Sequence, residues 1–204
     1  MFGDSECNSK KWPIIKMERL FNVSSSKRIY QEELTDYGVP FLRISDLVNK
    51  IDGKNIIPSL FITKEFYDDL LKNKQVPQEN DILVTSRGTL GNCYIIKGED
   101  QFYFQDGMIS WLSKRENNID SIYISHLFST QGIKNQIKSI QSGTTVAYLS
   151  ISMIKKLDIM TPPIELQNKF AAIVEQIDKS KYILQKQIDA LQELLDSKME
   201  EFFG

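Results

Sequence analysis

Residues 160–181 read MTPPIELQNKFAAIVEQIDKSK, and this stretch decides the architecture. Pro162 and Pro163 lack the amide hydrogen that a continuing strand or helix would use, so they end what precedes them. The chain then commits to helix almost to its last residue. Apolar residues fall at Phe170, Ile173, Ile177, Leu184, Ile188, Leu191, Leu195 and Phe202. From Leu184 the steps are four, three and four, a heptad seam that Ser180 and Lys181 interrupt upstream. Thirty-odd helical residues at about 1.5 Å each make a rod of roughly 50 Å. Such a rod outreaches a domain of this size. Its stripe is covered either by the helix folding back on its own domain or by a second helix in a coiled coil.

Upstream the punctuation is denser. Trp12–Phe21 reads as a strand or a short helical turn, followed by the polar Ser24–Arg28 segment and a turn at Gly38–Pro40. Val39–Ile44 is a strand with Arg43 near its end. Thr63 caps a helix through KEFYDDLLKN, with Phe66, Leu70 and Leu71 on one side. Asp81–Ser86 and Cys93–Ile96 form a hairpin around Arg87-Gly-Thr-Leu-Gly-Asn92. Phe102–Leu112 carries further strand signal, with Gly107 as a bulge. Asp120–Ile140 is helical with a break near Gly132 and an end at Gly143. Ser150 caps a short helix through Leu157, and Asp158–Met160 is a last strand. Short strands mixed with short helices, without a regular βαβ rhythm, predict an α+β domain over 1–160, followed by the helix over 161–204.

A length of 204 residues, 41% of them apolar and 25% charged, fits one substantial core plus an appendage. No run approaches the roughly 18 apolar residues of a membrane span, and the N-terminus lacks a signal peptide's apolar core. Both predict a cytoplasmic protein without membrane contact. Cys7 and Cys93 have no paired spacing and read as reduced thiols. The net charge of −2 hides a gradient: Met1–Met160 holds 20 Lys and Arg against 19 Asp and Glu, and Thr161–Gly204 holds 5 against 8. Ser121–Leu157 carries Lys134, Lys138, Lys155 and Lys156 with no acidic residue, which reads either as a basic face on the body, set against an acidic tail, or as ordinary solvated surface.

Catalysis finds little support. There is no Walker loop, no Asn-Pro-Pro-aromatic motif and no glycine-rich loop placed for S-adenosylmethionine. Asp52-Gly53-Lys54 has the shape of half a nuclease motif but lacks the upstream Pro-Asp, and His126 reads as a partly buried structural residue. Neither a metal set nor a nucleophile with its base emerges.

The chain resembles the specificity (S) subunit of type I restriction–modification systems, as one target-recognition domain with its following helix. The resemblance rests on Trp12 with the polar segment after it, Gly38-Val-Pro-Phe-Leu-Arg-Ile-Ser-Asp46 and Asn80-Asp-Ile-Leu-Val-Thr-Ser-Arg-Gly-Thr-Leu-Gly91. Ser142-Gly-Thr-Thr145, Leu149-Ser150 and Pro162-Pro-Ile-Glu-Leu-Gln167 complete it, in order and spacing. Leu166 stands where the family often has the Glu of a Glu-Gln pair, and Asn80 where glycine is common. The resemblance implies a mixed-sheet recognition domain and a helix that pairs antiparallel as a spacer. It also implies methyltransferase (M) and restriction (R) subunits as partners, with S-adenosylmethionine and ATP held only by them. A full member carries two such units. With Phe-Gly echoed at both ends, MFGD and EEFFG, the resemblance implies either a half-length subunit, pairing with itself or with a second half, or an expressed half of a longer one. A protein–protein module without DNA binding, and a recognition segment of a fused methyltransferase–nuclease, are the other readings.

On the recognition reading, double-stranded DNA is met by cations and by donors on loops. Ser86, Arg87 and Thr89 project from the hairpin turn, which is otherwise an ordinary turn. Lys134, Lys138, Ser142, Thr144 and Thr145 form a phosphate track or a helix end with its turn. Lys27 and Arg28, flanked by serines, form a mobile positioning loop or a solubilising surface, and Arg43 reaches DNA or a local carboxylate such as Asp46. Tyr30, Tyr103 and Tyr148 read as core or rim aromatics.

Overall fold

Period-two burial sets the layering. The computed structural model describes residues 8–115, 118–141 and 148–203. Along the chain run β1 (Ile14–Lys16), α1 (Met17–Leu20), β2 (Phe21–Ser24), a 3₁₀ turn (Gln31–Glu33), β3 (Val39–Leu42), α2 (Ile44–Ile51), β4 (Phe61–Ile62) and α3 (Lys64–Lys72). Then follow β5 (Ile82–Thr85), β6 (Cys93–Ile95), β7 (Tyr103–Phe104), β8 (Ile109–Lys114), α4 (Ser121–Ser129), α5 (Gln131–Gln141), α6 (Ile151–Lys155), β9 (Asp158–Met160) and α7 (Ile164–Phe203).

The central sheet is antiparallel, in the order β2-β8-β5-β6. In β5, Ile82 and Val84 face one core with Leu112, Tyr123, Ile124, Ile133 and Ile154, so α4, α5 and α6 cover that side. Leu83 faces the other way, into a second core with Leu42, Leu47, Phe104 and Ile109. A mixed sheet, β4-β3-β7, lies there, with β3 antiparallel to β4 and parallel to β7. Its outer residues Val39, Phe41, Ile62 and Tyr103 pack on Tyr67 and Leu70 of α3. The fold is thus α+β. β1 pairs antiparallel with β9, which closes the head immediately before α7.

Several expectations are sharpened or corrected. Trp12–Phe21 is both strand and helical turn, as β1 and α1. The strand expected over Val39–Ile44 stops at Leu42, and Arg43 caps α2, which the sequence reading did not foresee. Asp46 fixes that start by accepting the Arg43 backbone N–H at 2.8 Å. On α3 the buried pair is Tyr67 and Leu70, and Leu71 is exposed. Gly107 lies in the turn between β7 and β8, without a bulge. The break in the 120–140 helix comes at Thr130, whose extended backbone ends α4. Gly143 lies outside the described residues. At Gly38, φ is +113° and a Cβ would sit 2.3 Å from the Ile62 carbonyl oxygen, so only glycine fits beside β4.

Thr63 caps α3 as expected, its hydroxyl accepting the Phe66 N–H at 3.2 Å. Thr63→Ala will cost about 1 kcal/mol, the usual worth of such a cap. Urea titration will show it as a lower midpoint at unchanged slope.

α7 spans 40 residues, about 60 Å. Among the described residues, only its first turns meet the head. Gln167 and Ala171 are buried, and the Phe170 ring stands edge-on to Tyr123 and His126, with centroids 6.4 and 5.3 Å away. The helix does not fold back: Ile173, Ile177, Leu184, Ile188, Leu191, Leu195 and Phe202 are all exposed. Tyr182, Ile183, Leu194 and Met199 widen the uncovered stripe. No helix among the described residues is long and apolar enough to cross a membrane.

Candidate nucleic-acid interface

The register of the central sheet brings distant loops to one end. Ser24 pairs with Trp111, Thr85 with Ile109 and Val84 with Cys93, so the loops after β2 and β5 and the loop before β8 leave together. They hold one another. The Ser25 hydroxyl donates to the Ile109 carbonyl at 3.5 Å and accepts the Gly107 N–H at 3.1 Å. Ser86 N–H donates to Met108 O at 2.8 Å, and Leu149 N–H donates to Ser86 O at 3.0 Å. Lys27 N–H donates to the Tyr103 hydroxyl at 2.8 Å, and burial pushes that phenol up to about 12.

The hairpin turn is pinned from beneath. The Thr85 hydroxyl donates to Thr89 O and accepts Asn92 N–H, and Gly91 N–H donates to Thr85 O at 2.9 Å. Gly88, at φ +68°, lets the tip turn while Arg87 and Thr89 stay exposed. The Arg87 guanidinium lies 5.3 Å over the Tyr148 ring. Ser86 corrects the expectation of three projecting side chains. It is 1% exposed, and its hydroxyl is hydrogen-bonded to Ser110 at 2.9 Å, so it is an interior polar pair.

Lys27 and Arg28 are exposed on the neighbouring loop. The Lys27 ammonium lies 5.1 Å over Phe66. Arg28 donates to Asp106 at 2.9 Å, and that bond holds its guanidinium more firmly protonated than usual. Lys134 and Lys138 are exposed on α5 while Ile133 and Ile137 anchor it, and Lys134 borders a groove along Leu90–Cys93. Gln141 Nε2 donates to Tyr148 O at 2.9 Å, which ties the end of α5 to the ring under Arg87. Ser142, Thr144 and Thr145 lie outside the described residues.

Arg43 borders a separate cleft of about 440 Å³ between the 3₁₀ turn and the ends of β3 and β7. Ile29, Leu34, Phe41 and Leu60 form its apolar lining, and Gln31, Asp36, Arg43, Gln105 and Asp106 its polar rim. Asp106 joins this cleft to the loop cluster through Arg28. Gln31 and Gln105 were not singled out from the sequence, where an isolated glutamine carries no signal.

The remaining chemistry is quiet. The Lys54–Asp52 pair is a surface contact at 3.1 Å. His126 is exposed rather than partly buried, with its ring against Phe170. Cys93 is a free thiol whose pKa burial raises, and Cys7 lies outside the described residues. No group of three His, Cys, Asp or Glu among the described residues is placed to hold a metal ion. The arrangement presents hydrogen-bond donors and positive charge at one end of the sheet.

Residues 9–193 match the family described as type I restriction modification DNA specificity domain. A Haemophilus influenzae protein, provisionally named as a type I restriction enzyme specificity subunit, is 26% identical over 81% of this chain and 40% of its own length. One from Methanocaldococcus jannaschii, provisionally named the MjaX specificity subunit, is 23% identical over 94% of this chain and 45% of its own length. The chain therefore spans less than half of these curated relatives. Among solved structures, the type I restriction–modification S subunit from M. genitalium superposes with a TM-score of 0.59 at 18% identity, over 98% of this chain and 48% of that one. The HsdS subunit from Thermoanaerobacter tengcongensis gives 0.53 at 14% identity, over 91% and 40%. At these identities the superpositions show a shared fold.

Proposed function

Since the chain belongs to the type I restriction modification DNA specificity domain family, we propose that it is the DNA sequence-recognition subunit of a type I restriction–modification complex. The head over 1–160 binds one half of a bipartite target. The helix over 161–204 pairs antiparallel with a second copy or a second half-subunit. Methyltransferase subunits dock on the paired helices, the restriction subunit joins them, and S-adenosylmethionine and ATP are held by those partners. The assembly works on DNA in the cytoplasm. Self-pairing about a two-fold axis predicts an inverted-repeat target interrupted by unread base pairs.

The observation that carries this reading is the convergence of Lys27, Arg28 and Arg87 on interlocked loops at one end of the sheet, with Arg43 in the adjoining cleft. Phosphate contacts release counterions, about 0.9 per contact, so a few such cations make affinity fall about 100-fold between 50 and 200 mM salt. Fluorescence anisotropy with the chain and its methyltransferase on duplex DNA will show that slope. A second reading, a protein-docking module that never touches DNA, draws on the uncovered stripe of α7 and the net charge of −2. Absence of binding at low salt with the methyltransferase present selects it.

A further inference from the structure

The cleft beside Arg43 differs in kind from the loop cluster. Arg28 is engaged by Asp106 and Arg87 by Tyr148, whereas the side chains of Gln31, Arg43 and Gln105 have no hydrogen-bond partner among the described residues. All three nevertheless border one cleft. Two of them stand on firmly held backbone. Gln105 N–H donates to Leu42 O at 2.9 Å, which continues the parallel pairing of β3 and β7 and sets residue 105 beside Arg43. The Arg43 N–H is fixed by Asp46. Side chains on strand ends hold geometry better than side chains on loop tips. The apolar lining of Ile29, Leu34, Phe41 and Leu60 lowers competition from water for the polar rim.

The chemistry of that rim is specific. A carboxamide offers a donor and an acceptor side by side, matching adenine N6 and N7, and a guanidinium fork matches guanine O6 and N7. Cations on the loop cluster suit phosphates, which fix position and carry no sequence information. Resting on the DNA-recognition reading above, we propose that base identity is read in this cleft, with Arg43 taking a guanine and Gln105 and Gln31 taking adenine. Arg28 and Arg87 serve the backbone. The half-site accordingly contains at least one guanine and one adenine.

The test is methylome sequencing of cells carrying the complex of this chain with its methyltransferase, alongside Gln105→Ala, Gln31→Ala and Arg43→Ala. Gln105→Ala relaxes one adenine position by about tenfold, the discrimination of one bidentate pair, and leaves the rest of the motif intact. Gln105→Glu, an acceptor without a donor, moves that position toward cytosine. Arg87→Ala lowers modification evenly across the motif. Gln31 is exposed, so its variant reports on reading even where Gln105→Ala reduces folding. An unchanged motif in all three alanine variants, with modification retained, overturns the cleft assignment alone. A wild-type complex that modifies no motif and binds no duplex overturns the recognition reading, and this proposal with it.

Discussion

On the proposed pairing of α7 with a second helix, Ile188→Asp and Leu191→Asp together will abolish that pairing and leave the melting of the head unchanged. Both residues lie on the part of α7 that stands clear of the head, 51% and 65% exposed, so the head loses no packing. Across a helix pair each is covered, and burying one such side chain stabilises by about 1.5–3 kcal/mol. Two positions on each of two helices, replaced by carboxylates that resist burial, weaken association on the order of a thousandfold or more. Sedimentation velocity will read the association state, and circular dichroism the melting of the head. An association state that the double substitution does not alter would sink the paired-rod reading.

The same stripe argues for the antiparallel sense. With Leu184 and Leu191 at one seam position and Ile188, Leu195 and Phe202 at the other, Lys181 and Lys198 also fall on the seam, whereas Phe170, expected on it, is taken up by the head. A parallel, in-register pair sets each lysine against its own copy. In an antiparallel pair with Leu184 facing Ile188, Lys181 faces Leu191 and Lys198 faces Val174. There the stems lie on apolar surface and the ammonium groups turn out to water.

What the sequence discloses about the head depends on how local the cause is. Thr63 and Ser150 are caps whose acceptor oxygen and helix lie within three residues, and both were legible. The β5–β6 hairpin was legible too, because one short turn joins its strands. α2 escaped because Val39–Ile44 is apolar but for Arg43, and Arg43 caps the helix through its backbone without a capping side chain. Ser86 was misread although its neighbours held the answer. It continues the alternation of Ile82 and Val84, which face the first core, so its hydroxyl turns inward to Ser110.

The interface was legible only in pieces. Lys27, Arg28 and Arg87 could each be named from loop composition. Their meeting depends on β8 lying between β2 and β5, a non-sequential neighbourhood that no local pattern encodes. The cleft of Gln31, Arg43 and Gln105 needs in addition the parallel pairing of β3 with β7, two strands with α2, β4, α3, β5 and β6 between them in the chain. The long helix is the opposite case. Proline, absence of breakers and heptad spacing are all local, so its start and reach were readable, and the chain alone does not determine what covers it.

Gln167→Leu tests the joint between these two kinds of structure, and it will destabilise the chain by about 2–4 kcal/mol. Gln167 closes the Pro162–Gln167 motif and is fully buried. Its Oε1 accepts the Asp120 N–H at 3.0 Å, and its Nε2 donates to the Pro162 carbonyl at 2.7 Å. Asp120 in turn caps α4, its Oδ1 accepting the Tyr123 N–H at 2.8 Å, and the Tyr123 hydroxyl donates to Met160 O at 2.8 Å. One carboxamide thus bonds the start of α4 to the start of α7. Leucine fills nearly the same volume but orphans a buried N–H and a buried carbonyl, at about 1–3 kcal/mol each. Denaturant titration will show the loss as a lower midpoint. Gln167→Glu is harsher, because it keeps the acceptor but sets a buried negative charge against the Pro162 carbonyl. Since the bond fixes the direction in which the rod leaves the head, Gln167→Leu will also reduce methylation by the proposed complex with a methyltransferase at temperatures where the chain remains folded. A variant as stable and as active as the parent would show that Phe170 and Ala171 suffice to set that direction.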